Sequence, residues 1–269
     1  MSERARPRRV LRINGDTRTT RSDVLAAEEP LELRVDGVPL TVTMRTPGDD
    51  MDLAAGFLVA EGAVHRTEDI RTMRYCGGKD AQGRQTYNQL DLELAVPAPE
   101  PRAFATSSAC GLCGVDSIEA VRAKASVDLS HDDLVVPARV IATLPGKLGE
   151  AQRVFARTGG LHAAGLFDAT GQLLCLREDV GRHNAVDKVV GWALREGRLP
   201  LTGTVLLVSG RASFELVQKA WAAGIPVLAA VSAPSSLAAE LATEAGMTLV
   251  GFLRGDTMNV YAGEQRIGS

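Results

Sequence analysis

The sequence predicts an α/β protein with a smaller N-terminal α+β part, and three observations carry that prediction. First, "TVLLVS", "PVLAAV" and "MTLVGFL" are short, fully apolar runs of the kind found in buried parallel strands. Second, the stretches between them, "SFELVQKAWAAG" and "SSLAAELATEAG", have helical periodicity and end on glycine, giving β-α-β-α-β with right-handed crossovers. Third, the first half of the chain has another texture, with alternating strands around a turn and one short helix. The boundary falls near residue 130. The expected organisation is a basic, disordered tail over 1–20, an α+β domain over 21–130 and an α/β domain over 131–269.

Each element has a local reason. "LELRV" and "PLTVTMR" alternate on either side of Asp36-Gly37, a dipeptide suited to a tight hairpin turn. Residues 49–62 begin acidic and end at glycine, as a short helix should. "TYNQLDLELAV" reads as a strand stopped by "PAPEP". "DSIEAVRAKA" reads as a helix with Asp116 or Ser117 as N-cap. "RVIATLPGKLGEAQRVFART" is helical but interrupted at Pro145-Gly146. "LHAAGLFDATGQLLCLRED" is a hairpin turning at 168–171, and "AVDKVVGWALREG" is a helix closed by Gly197.

Composition narrows the functional classes. At 269 residues the chain can bury a real core, and its net charge of −3 gives no global basic field for nucleic acid. Only the opening "MSERARPRRVLR" is strongly basic, which reads as a solvated tail. Arg8-Arg9 is followed by the polar "INGDTRTTRSD" instead of an apolar export segment, and no run is long enough to span a membrane. The expectation is a cytoplasmic protein with reduced thiols, where a Cys-x-x-Cys is metal-binding or catalytic before it is a structural disulfide.

Two of the four cysteines, Cys110 and Cys113, stand in "TSSACGLCGVD", a glycine-padded loop ahead of the expected helix. Half a zinc site, a dithiol redox pair and a sulfur-carrying thiolate all use that spacing. A zinc site needs four ligands, and the remaining candidates are Cys76, Cys175 and four scattered histidines. Cys175, inside "LLCLR", reads as a core thiol. A redox pair usually sits in a β-α-β frame, whereas "PEPRAFATSSA" is proline-rich and polar. A loop suits a thiol that must visit both a donor and an acceptor, and persulfide transfer needs the same activated thiolate as redox exchange.

Five further motifs run in order along the chain after "TSSACGLCG": "GGLHAAGLFD", "REDVGRHNAVDKVVG", "SGRASFELVQKA", "VSAPSSLA" and "GFLRGDTMNVY". Across roughly residues 30–261 the chain resembles the FdhD family, sulfurtransferases needed to make active formate dehydrogenase. The resemblance implies a cytidine-deaminase-like C-terminal domain with a mixed sheet. It also implies sulfur transfer from a cysteine desulfurase to the molybdenum cofactor, bis-molybdopterin guanine dinucleotide, with formate dehydrogenase as client and a homodimer as assembly. It makes Cys110 the persulfide carrier and assigns cofactor contact to Phe252, Leu253, Arg254, Gly255, Asp256 and Thr257; Cys113 is the second candidate catalytic thiol, its role open between resolving and assisting.

That fold carries a test for zinc. A deaminase site needs His-x-Glu at one helix start and Pro-Cys-x-x-Cys at the next. Here His183 is followed by Ala185 where the Glu belongs, and "GRASFE" has no cysteine. The expectation is no zinc and no deamination. A cofactor with phosphates calls instead for arginines and backbone N–H groups at helix starts. Ser209, Gly210 and Arg211 provide one such start, and Arg182 with His183 another. A cofactor-binding chaperone with incidental thiols, and a dithiol redox protein, are the alternative readings.

Overall fold

A computed structural model of the chain describes residues 3–78, 83, 85–100, 127–129 and 131–269. Among them the mixed α/β organisation is present. Strands β3 (Glu29–Val35), β4 (Val38–Arg45), β5 (Ile70–Tyr75) and β6 (Gln89–Leu94) form a sheet in the order β4-β3-β6-β5. The β3–β4 turn is Asp36-Gly37, with φ of 50° and 79°. Positive φ at both central residues matches the twist of the flanking strands, so the dipeptide was an informative signal.

Helix α1 (Asp50–Ala60) follows. Beyond its acidic first turn it is apolar all round because it is covered on two sides. Leu53, Ala54 and Leu58 pack with Leu31, Leu33, Leu90 and Leu92 of the small sheet, while Ala55 and Val59 join the larger core beyond.

The second half is built on six strands in the order β13-β12-β11-β10-β8-β9. These are β8 (His162–Asp168), β9 (Leu173–Asp179), β10 (Thr204–Val208), β11 (Val227–Ala230), β12 (Thr248–Arg254) and β13 (Thr257–Ala262). The parallel β10–β11–β12 unit agrees with the sequence, and β8 and β13 add antiparallel partners at either side. Strand β13 was not anticipated. A short pair, β7 (Val136–Pro137) with β14 (Ile267–Gly268), ties the C-terminus back to the start of this half.

Alternation along β10 divides the core. Leu206 and Val208 face helices α4 (Arg182–Arg195), α5 (Phe214–Ala222) and α6 (Ser236–Glu244), whereas Val205 and Leu207 face α2 (Ala138–Ala151). No described helix is long and apolar enough to cross a membrane.

Two expectations are corrected. Helix α2 runs through Pro145 and ends at Ala151, and the one-turn helix α3 (Phe155–Thr158) comes after it. Ile141, Leu144 and Leu148 form a buried stripe at helical spacing, and that packing outweighs the hydrogen bond that proline cannot donate. The basic N-terminal segment is not a disordered tail: β1 (Ala5–Asn14) and β2 (Thr17–Ala26) make a two-stranded ribbon. Gly15-Asp16, with Gly15 at φ 56°, is its two-residue turn, and the β-branched Val10, Ile13, Thr17, Thr19 and Thr20 favour extended backbone. Arginine content masked that signal. The expected helix over 116–125 lies outside the described residues.

The halves are joined by buried charge. Lys188 Nζ lies 2.7 Å from Asp179 Oδ2, with the side chains 1% and 0% exposed. Lys188 also donates to Thr46 O at 2.9 Å, and Asp179 accepts from Thr46 N, Gly181 N and Asn184 Nδ2. Breaking such a pair strands a charge in a low-dielectric interior. Lys188→Met is therefore expected to cost about 3–5 kcal/mol. Guanidinium unfolding checks this, and a midpoint equal to that of the parent chain would contradict it. Lys188→Met combined with Asp179→Asn should recover part of the loss, since no lone charge then remains.

Candidate functional site at the carboxyl edge of the sheet

The ends of several strands meet at one edge of the large sheet. Because β8 runs antiparallel to β10, Ala164 pairs with Val208, and His162 at the start of β8 pairs with Asp179 at the end of β9. The turns leaving β9, β10 and β11 each enter a helix there, so the N-termini of α4, α5 and α6 share this edge. Open α/β sheets bind ligands in this place.

Ser209 follows β10. Its N–H donates to Ala163 O at 3.0 Å and its Oγ accepts from Ala163 N at 2.9 Å, locking the turn against β8. A Cβ on Gly210 would meet His162 Nδ1 at 3.4 Å, so the imidazole rests on the glycine backbone. Ser232 N donates to Gly210 O at 3.3 Å, and Phe252 N donates to Ser232 O at 3.1 Å. Backbone hydrogen bonds therefore link the ends of β10 and β11 to β12.

The charged groups gather at the start of α4. His183 Nε2 stands 2.9 Å from Glu215 Oε2 and 3.2 Å from Ser213 Oγ. The hydrogen bond from His183 holds the Glu215 carboxyl below the usual glutamate range against the opposing effect of burial. Burial, reinforced by the nearby Arg182 and His183, pushes the His162 imidazole below the usual histidine range. The Arg182 Nε is buried without a hydrogen-bond partner. Beside these groups lies a cavity of about 340 Å³ lined by Gln152, Phe155, Gly160, His162, Val180 and Ser209. A guanidinium with an unused N–H, next to helix N-termini, is chemically suited to an anion.

The fold thus brings Arg182, His183, Ser209 and Gly210 to one edge, with Arg211 exposed on the turn into α5. Phe252 joins them through Ser232. Its φ is +52°, rare for a bulky residue, and the residue is 40% exposed. Leu253 is fully buried in the core, so only its backbone is left for a ligand. Arg254, Gly255, Asp256 and Thr257 form the tight β12–β13 turn, in which Thr257 Oγ1 donates to Arg254 O at 2.9 Å. Among the described residues that turn makes no hydrogen bond to Arg182, His183 or Ser209.

Cys110 and Cys113 lie outside the described residues. Cys175 is the core thiol expected from its strand, pushed up to about 12 by burial. Sequence reading missed His162, Ser213, Glu215 and Ser232. His162 sits in the quoted motif "GGLHAAGLFD", but only the β8–β10 register places it against Gly210.

The family model described as the FdhD/NarQ family matches residues 26–268. The chain belongs to the FdhD/NarQ family. It is 58% identical to the sulfur carrier protein FdhD of Nocardia farcinica, over 97% of this chain and 94% of that one. It is 56% identical to the protein of the same name from Mycobacterium tuberculosis, over 97% of both. A crystal structure from Desulfotalea psychrophila, described as that of a formate dehydrogenase accessory protein, superposes with a TM-score of 0.77. It is 25% identical and covers 99% of this chain and 100% of its own.

Proposed function

We propose that this FdhD/NarQ-family chain is a sulfur carrier that acts as a sulfurtransferase through a persulfide on Cys110. The observation that carries the reading is the near full-length likeness to relatives named sulfur carriers, together with Cys110-Gly-Leu-Cys113 in this sequence. In the proposed first step, the Cys110 thiolate attacks the terminal sulfur of a cysteine desulfurase's persulfide. The donor's S–S bond breaks, the donor leaves as thiolate, and Cys110 holds the outer sulfur. The cargo that receives it is the molybdenum cofactor, bis-molybdopterin guanine dinucleotide, before insertion into formate dehydrogenase. The setting is the cytoplasm, where thiols stay reduced.

The carboxyl edge is the proposed cargo site. Support comes from the orphaned Arg182 Nε, the helix N-termini and the backbone exposed at Gly255, all of which suit phosphate oxygens. A cytidine-deaminase-like description of this half is supported by a hairpin followed by three helix–strand units. His183 lies on Glu215 from the next helix, which makes this a polar pair on the sheet edge.

Incubation with a cysteine desulfurase and cysteine, followed by intact-protein mass spectrometry, tests the carrier reading: the chain should gain one sulfur atom. No gain would favour a cofactor-binding chaperone. GDP, standing in for the guanine end of the cofactor, tests the edge. Arg211→Ala and Arg254→Ala each remove a charge-assisted bond and should weaken GDP by roughly ten- to a hundredfold. Sulfur loading should be unchanged. Parental GDP affinity in both variants would place the nucleotide elsewhere.

A further inference from the structure

All of the ribbon of β1 and β2 but its last residue, Ala26, precedes the stretch matched by the family model. A lone two-stranded hairpin is marginal in water. Its anchors are at the base: Arg4 pairs with Asp49 at 2.7 Å, Arg6 pairs with Glu29, and Ala27 N donates to Arg4 O at 2.9 Å. Gly160, on the cavity wall, faces Ala26 at the same base. Farther out, both faces meet solvent. Leu11 and Ile13 are 56% and 58% exposed on one face together with Arg9 and Arg18, and Arg6, Arg8, Arg12 and Arg21 alternate onto the other.

Charge is divided unevenly. Residues 3–26 hold seven arginines against three carboxylates, a net +4, so in a chain of net −3 the remainder carries −7. At its base the ribbon already pairs its arginines with body carboxylates. Arg8, Arg9, Arg12 and Arg18, farther out, make no ion pair among the described residues.

We infer that the ribbon is a dimerisation arm, laid across the acidic body of a second copy so that Leu11 and Ile13 are covered and Arg9 and Arg18, on the same face, meet carboxylates. The expectation of a homodimer names no surface; the ribbon supplies one. A second copy is favoured as occupant because its body carries the complementary charge. A nucleic acid would bring phosphates up to a body of the same sign. Ten residues per strand make the arm roughly 34 Å long. Exchanged about a twofold axis, two such arms roughly 10 Å wide bury on the order of 1,300 Å² in total, within the range of stable interfaces.

Sedimentation velocity on the full chain tests the arm. The parent should be a dimer at low salt that weakens as salt rises, because exposed charge pairs are screened. Arg9→Glu with Arg18→Glu should weaken it by about tenfold or more, and Leu11→Ser with Ile13→Ser should weaken it independently. A circular dichroism melt shows that each variant keeps its fold, since the arm lies outside the cores. A parent chain that stays monomeric at its highest soluble concentration would overturn the inference. So would a dimer equally tight in both variants, or ribbon-dependent binding of a labelled DNA duplex with self-association unchanged.

Discussion

Gly56→Ala and Gly191→Ala should each destabilise the protein by more than about 3 kcal/mol, a drop in Tm of roughly 6–12 °C. Helices α1 and α4 cross with their backbones in contact at these residues. A Cβ on Gly56 would lie 1.8 Å from Asp187 O, and one on Gly191 would lie 1.8 Å from Asp52 O. The neighbours are helix backbone, so a rotamer change cannot relieve the clash. The helices must separate, and separation pulls on Asp52, which pairs with Arg177 at 2.8 Å and with Arg195. It also pulls on the Thr46–Asp179–Lys188 network.

Glycine to alanine inside a helix ordinarily stabilises by about 0.5–1 kcal/mol, so the sign itself is diagnostic. Gly146 in α2 supplies the control, because a Cβ there meets nothing within 4 Å. Gly146→Ala should melt at or above the parent temperature. Thermal unfolding of the three variants decides the matter, and parental melting of Gly56→Ala or Gly191→Ala would show that the helices do not touch at those glycines.

These two glycines also show where sequence reading stops. The helices that contain them were legible from periodicity and flanking glycines, and the buried strand "TVLLVS" from its apolar run. Nothing local marks Gly56 and Gly191 as partners, because the contact joins residues 135 positions apart. The Asp36-Gly37 turn was legible because positive φ is a local demand. The Gly15-Asp16 turn obeys the same rule, but the arginines around it pointed to a solvated tail.

The candidate site divides the same way. Arg182, His183, Ser209 and Gly210 could be proposed from helix starts that follow strands. Glu215 could not, since its meeting with His183 depends on how α5 lies beside α4. The positive φ of Phe252 was equally hidden: a phenylalanine gives no sequence sign of left-handed backbone, and its place follows from the irregular register between Gly251 and Arg254.

The central claim is that sulfur travels on Cys110, and the largest functional effect should follow from its loss. The thiolate is the only group at that position able to form the S–S bond, so Cys110→Ala should abolish persulfide loading there instead of slowing it. Cys113→Ala leaves the proposed acceptor in place and should still load. The most direct measurement is peptide mapping after reaction with a cysteine desulfurase and cysteine, applied to the parent chain and both variants. The account predicts one added sulfur on the peptide containing Cys110 in the parent and in Cys113→Ala, and none in Cys110→Ala. Full loading of Cys110→Ala, with the added sulfur on another cysteine, would contradict it.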